Sequence, residues 1–189
     1  TKRWLKALGH YFHRDKQIEN IIACEEKIVL DTLRKRGMMI IPRYRNCQVI
    51  LSTDATMGIG LIRMLFEELE MIPEAIIFKH IASSSEAILD SELNDMQIHP
   101  KVLLNADGYA VKEAVQDNYC DLVIGSAWEK YIAEKEGIQV SFDVFEPTNR
   151  ITYINESYFG FEGMLHLLQA FANDWERAFR SKNIEVNAY

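Results

Sequence analysis

The sequence predicts an α/β fold: a Rossmann-like three-layer domain with a parallel sheet of about five strands, helices on both faces and extra helices at the N-terminus. Three observations carry this. Short apolar runs recur at residues 48–52, 75–79, 101–105, 121–125 and 138–142. Stretches with helical apolar spacing separate them, and parallel neighbours need crossovers of that length. Most of the runs hold consecutive apolar residues, as in strands covered on both faces.

Each element has its own justification. Residues 4–13 place Trp4, Leu5, Leu8, Tyr11 and Phe12 at helical spacing. Residues 18–36 form a longer helix with Ile18, Ile21, Ile22, Ile28, Val29 and Leu33 on one side, and Gly37 is placed to end it with positive φ. Residues 43–46 are a polar connection after Pro42. The first strand, 48–52, leads into a helix over 58–70 with Ile59, Ile62, Leu65, Phe66 and Leu69 inward, closed by Pro73. Strand 75–79 follows, then a helix from the cap Ser83-Ser84-Ser85 to about Leu93. Strand 101–105, helix 109–117, strand 121–125, helix 127–135 and strand 138–142 complete the alternation, and 162–180 is the closing helix. The division this implies is a helical segment, 1–46, packing on a Rossmann-like domain, 47–189.

Composition narrows the function classes. A net charge of −7 argues against a nucleic-acid partner, because phosphate binding needs clustered Lys and Arg. Arg34-Lys35-Arg36 reads as a solvated helix end, where cations are favoured. No run of about 18 apolar residues is present, so no membrane span is expected. The opening residues do not form a secretory signal, and a start at Thr1 rather than Met fits a piece of a longer protein. Cys24, Cys47 and Cys120 share no short spacing and form no C-x-x-C. They read as buried structural thiols in a reducing, cytoplasmic compartment rather than as cluster ligands, which need several convergent thiolates.

Candidate site residues come from the fold. Open parallel sheets bind ligands beyond the carboxyl ends of their strands. That edge carries Thr53, Asp54, His80, Asn105, Asp107 and Ser126, of which Thr53, Asp54, Asn105 and Ser126 are the ligand-binding candidates. The loop 52–60 feeds a helix N-terminus but does not match G-x-G-x-x-G. The plainer reading has Asp54 or Thr56 capping the helix, with Gly58 and Gly60 allowing close helix–strand packing. His10 and His13 are three apart on one helix, yet no Cys or carboxylate completes a ligand set, so no metal site is assigned. His166 reads as a half-buried packing residue beside Leu165, Leu167 and Leu168. The acidic pairs Glu25-Glu26 and Glu67-Glu68, and Glu134 with Glu136, read as solvated helix faces. Phe142, Phe145, Tyr153, Tyr158, Phe159 and Phe161 read as core or interface aromatics.

Three blocks, taken in order, resemble the C-terminal part of nitrogenase component 1-type proteins. They are Thr1-Lys-Arg-Trp-Leu5 with the long helix after it, Cys47-Gln-Val-Ile-Leu-Ser52 through Glu67-Glu-Leu-Glu-Met71, and Asp121-Leu-Val-Ile-Gly-Ser126 through Phe145-Glu-Pro-Thr-Asn-Arg150 with Gly160-Phe-Glu-Gly163. The resemblance implies one domain of a three-domain oxidoreductase subunit that pairs with a related subunit as a homo- or hetero-oligomer. It implies iron–sulfur or related metalloclusters in the full complex and electrons from an ATP-dependent iron–sulfur reductase. Members reduce dinitrogen, reduce tetrapyrrole double bonds, or assemble nitrogenase cofactor. Two departures matter. Where catalytic subunits carry Pro-Tyr-His-Gly, with a metal-ligating histidine, this chain has Ser157-Tyr-Phe-Gly160, and Phe159 has no lone pair to offer. The loop 53–60 also lacks the paired glycines and arginine of those subunits. The implied role is that of a non-catalytic or divergent member whose domain walls a cavity and an interface and binds no cofactor by itself. The competing expectations are a stand-alone small-ligand module using Asp54, Asn105 and Ser126, a cofactor-assembly scaffold, and a docking scaffold presenting Phe145, Tyr153 and Tyr158.

Overall fold

A computed structural model describes residues 1–36, 41–138, 140–143 and 157–186. Its element order is α1 (Lys2–Tyr11), α2 (Asp15–Arg36), a 3-10 turn (Ile41–Arg43), β1 (Gln48–Thr53), α3 (Ala55–Arg63), β2 (Ile72–Phe78), α4 (Ser83–Met96), β3 (Lys101–Leu104), α5 (Gly108–Asp117), β4 (Leu122–Gly125), α6 (Ala127–Lys135), β5 (Val140–Asp143) and α7 (Gly160–Val186). The five strands form one parallel sheet in the order β3-β2-β1-β4-β5. The α/β three-layer expectation is met.

The covered faces explain the apolar runs. Ile50, Ala75, Ile77 and Val123 form one side of the core with Val111, Ala114 and Val115 of α5 and Ala133 of α6. Helix α3 packs on the sheet and against α4. Right-handed crossovers account for the division: leaving β1 toward β2 puts α3 and α4 on one face, and the return from edge strand β3 to β4 puts α5 on the other. Val49, Ile50, Leu51, Ile76, Ile77, Phe78, Leu122 and Ile124 are wholly or almost wholly excluded from water. Each such side chain contributes about 1.5–3 kcal/mol by burial.

Several local expectations are corrected. Pro73 does not close a helix; it lies in β2, opposite Val49. The ladder slips immediately afterwards, with Ile50 opposite Ala75, so Glu74 is bulged. A proline lacks the N–H a regular ladder needs, and a bulge is where a strand tolerates one. The helix before it begins at Ala55 rather than residue 58 and widens into a π turn over Met64–Glu68, where Leu69 N–H donates to Met64 O at 3.2 Å. The serines 83–85 are the first turn of α4 rather than its cap; Ala82 holds that position and provides no side-chain bond. Nothing approaches within 4 Å of a Cβ placed on Gly60, so that glycine does not serve close packing. Gly37, Phe145 and Tyr153 lie outside the described residues.

Contacts divide the chain into two compact units. One comprises Thr1–Ile41 with Thr152–Ala172, the other Pro42–Ile151 with Asn173–Tyr189. In the first, a Cβ on Gly9 would press on Ile18 Cγ1 at 2.9 Å, so the α1–α2 corner depends on that glycine. Gly160 starts α7 with φ of 84°, a conformation that favours glycine. In the second, buried Tyr44 meets Trp175 edge to face at 5.5 Å, and Arg43 pairs with Glu176.

Candidate functional site

The strand order reverses at β1: β2 lies on one side of it and β4 on the other. The gap beyond the carboxyl ends of β1 and β4 is therefore the switch point, the usual ligand position in such sheets. The elements around it deliver polar groups there. β1 ends in Ser52 and Thr53, Lys79 follows β2, Ser126 follows β4, and the first turn of α6 brings Glu129.

These groups form one network around a buried carboxylate. Glu129 is only 2% exposed. Its Oε1 accepts from Ser52 Oγ at 3.3 Å and lies 2.9 Å from Lys79 Nζ. Its Oε2 accepts from Ser126 N–H at 2.7 Å and from the Ser126 hydroxyl. Lys79 Nζ also reaches Ser126 Oγ at 3.4 Å. Ser126 in turn accepts from Trp128 N–H at 3.3 Å, and Ser126 and Glu129 bond reciprocally as a capping box at the start of α6. Burial pushes the Glu129 carboxyl up, but bonds from the Ser126 hydroxyl, Lys79 and the Ser126 N–H outweigh it and hold the group below its ordinary value. The neighbouring α6 residue, Lys130, lies 3.5 Å from Asp143 at the end of β5, a second buried carboxylate on this edge.

The sequence-predicted residues fall in different places. Thr53 is buried, and its carbonyl accepts from Lys79 N–H at 3.3 Å. Asp54 is exposed at the N-cap of α3 and makes no side-chain cap bond; its carbonyl takes Gly58 N–H at 2.9 Å. Asn105 is exposed beyond edge strand β3, with φ of 51°, and its Oδ1 accepts from Ile81 N–H at 3.3 Å. Asp107 caps α5 through Ala110 N–H at 2.9 Å. Thr53, Asp54 and Ser126 thus share the switch point, and Asn105 lies two strands from β1. Lys79 and Glu129 were missed, although Ser126-x-x-Glu129 is a readable capping-box pattern.

The opposite, amino edge of the sheet holds a cleft of about 1150 Å³, lined by Arg45, Cys47, Tyr119, Cys120, Asp121 and Trp175 among others. There Asp121 fastens β4 to β1: its Oδ2 accepts from Gln48 N–H and its own N–H donates to Gln48 O, both at 2.8 Å. Cys47 and Cys120 are half-buried, and burial with nearby Asp121 raises both thiols, Cys120 to about 11. Cys24 is exposed, which corrects its reading as a buried thiol. Iodoacetamide at mildly alkaline pH is therefore expected to label Cys24 first, with Cys47 and Cys120 reacting only after unfolding. Mass-spectrometric mapping checks the order, and prompt Cys120 labelling in the folded chain contradicts it.

His13 lies past the end of α1 with φ of 53°, so the helical pairing with His10 does not form. Among the described residues no three His, Cys, Asp or Glu side chains converge. His166 is half-buried, with Nδ1 3.2 Å from Ser157 O. Phe159 is 65% exposed and stands before α7.

Comparison with known proteins adds family and fold. The family described as Nitrogenase component 1 type Oxidoreductase matches residues 1–176. A solved structure described as "Nitrogenase Cp1 at pH 6.5" superposes with a TM-score of 0.72 over 92% of this chain, at 20% sequence identity. The chain covers 36% of that protein's length. No curated protein sequence matches.

Proposed function

The chain belongs to the nitrogenase component 1 type oxidoreductase family, and from that premise we propose that it is the C-terminal domain of one subunit of such an oxidoreductase. The carboxyl edge of its sheet forms one wall of a metallocluster or substrate cavity, and another face enters a subunit interface. The supporting observation is the polar switch point, where the ends of β1, β2 and β4 and the N-terminus of α6 bring Ser52, Lys79, Ser126 and Glu129 together.

The residues described do not fit a resident cluster. Cluster ligation needs several convergent thiolates. Cys47 and Cys120 are held as thiols at the amino edge, away from the switch point. Phe159, where catalytic relatives keep a ligating histidine, has no donor atom. The domain's contribution is therefore shape, hydrogen bonding and exclusion of water rather than ligation. Its partners in this reading are a related component 1-type subunit and an ATP-dependent iron–sulfur reductase, in the cytoplasm. Among the described residues no helix is long and apolar enough to cross a membrane.

Two preparations test this together. The protein captured under anaerobic conditions from its own cells is expected to bring iron and a second component 1-type polypeptide. The isolated chain, reconstituted with iron and sulfide, is expected to show no stoichiometric cluster absorbance. A native protein without iron or partner defeats the proposal, and so does a cluster on the isolated chain that disappears in Cys47→Ser or Cys120→Ser.

A further inference from the structure

The crevice between β1 and β4 has the construction of a carboxylate receptor, and its occupant is a side chain of the same chain. The donors converging on Glu129 come from three separate places: Ser52 in β1, Lys79 after β2, and both N–H and hydroxyl of Ser126 after β4. A capping box accounts for the bond from Ser126 N–H to Glu129. It does not account for Lys79, which reaches past the end of β1 from the strand beyond, nor for Ser52. The floor is shaped for the same carboxylate: a Cβ on Gly125 would lie 2.7 Å from Glu129 Cβ, 2.8 Å from Cγ and 3.0 Å from Oε2. Lys79 is matched in charge by Glu129, and Asp54 stands exposed at the adjoining helix start.

We infer that the switch-point crevice is an anion seat filled from within by Glu129, which makes Glu129 the residue that bars free carboxylate ligands and leaves this wall to neutral or cationic groups. The inference deepens the wall reading above and rests on it only for what faces the crevice. Its test uses neither metal nor partner, so the two fail separately.

The test is replacement of the internal occupant by an external one. Glu129→Ala vacates the seat while leaving Lys79, Ser52 and Ser126 in place. Formate at about ten times its dissociation constant is expected to raise the variant's melting temperature by about 3 °C over chloride of equal ionic strength. The parent should show no formate-specific shift, and Glu129→Ala combined with Lys79→Met should lose the response. A folded Glu129→Ala chain indifferent to formate overturns the inference, as does a parent that responds equally. If Glu129→Ala does not fold in chloride, refolding is compared in formate and in chloride by circular dichroism. Recovery in formate alone supports the internal seat; failure in both overturns it.

Discussion

Lys79→Met is expected to cost about 3 kcal/mol of stability at neutral pH, the low end of the range for breaking a buried ion pair. The asymmetry of the pair sets the size. Glu129 is 2% exposed, so its carboxylate cannot exchange the lost ammonium for water. The Lys79 side chain is 33% exposed, so solvent already screens part of its attraction in the parent, which argues against the upper end of that range. Methionine keeps the apolar stem and removes only the charge and the donor. The pH dependence has a definite sign. Glu129 titrates below its ordinary value of 4.5 in the folded chain, so its contribution is complete above about pH 4.5 and is lost as the pH falls through the folded value. Removing Lys79 takes away one of the bonds that lower it and leaves the burial that raises it. The gap between parent and variant should therefore be widest near neutrality and narrow in acid, where a protonated Glu129 no longer needs a cation. Urea unfolding of both proteins at about pH 7 and about pH 4 measures this. Equal stability at neutral pH would show that the ammonium contributes nothing, and a gap constant with pH would place the loss outside the Glu129 carboxylate.

The layout of the sheet was readable because its cause is local. Continuous apolar runs such as 49–51 in β1 and 122–124 in β4 signal strands buried on both faces, and the helical spacing between them sets parallel crossovers. Element ends were less readable where tertiary packing decides them. Pro73 looked like a helix stop, yet it lies in β2 beside the bulge at Glu74, and no local sequence pattern announces that bulge, which only pairing with β1 defines. The site divides in the same way. Thr53 and Ser126 were found from a rule about strand ends, and Asn105 from the same rule applied to an edge strand distant from the reversal point. Strand order separates these cases, and apolar runs do not encode it. Lys79 looked like an ordinary polar strand terminus. Its role depends on spanning to Glu129, 50 positions on in the chain, a pairing that only the folded sheet creates. Family kinship was carried by ordered blocks rather than by one motif, and the match over residues 1–176 agrees with that reading.

Gly58→Ala is expected to destabilise the chain by about 2 kcal/mol, against the rule that alanine improves a helix. Gly58 lies in α3, where alanine gains about 1 kcal/mol of intrinsic propensity over glycine. Space reverses the sign. A Cβ there would sit well inside van der Waals contact of the Phe78 ring at Cε1, and 2.7 Å from Thr53 Cγ2. Neither neighbour yields readily, since Phe78 is fully buried in β2 and Thr53 is 5% exposed at the end of β1. Helix α3 must therefore lift from the sheet, or the ring must leave its rotamer, at a cost typical of overpacked cores. Gly60, two residues further along the same helix, supplies the control. No atom lies within 4 Å of its virtual Cβ, so Gly60→Ala keeps only the propensity gain and should stabilise by about 0.5–1 kcal/mol. Denaturant unfolding of the two variants should give shifts of opposite sign. Shifts of the same sign would mean that helix propensity, rather than the close approach of α3 to β1 and β2, governs this corner. The corner matters beyond stability: it fixes where the first turn of α3 and Asp54 stand beside the switch point. A lifted α3 should therefore also weaken the formate response of Glu129→Ala when the two changes are combined.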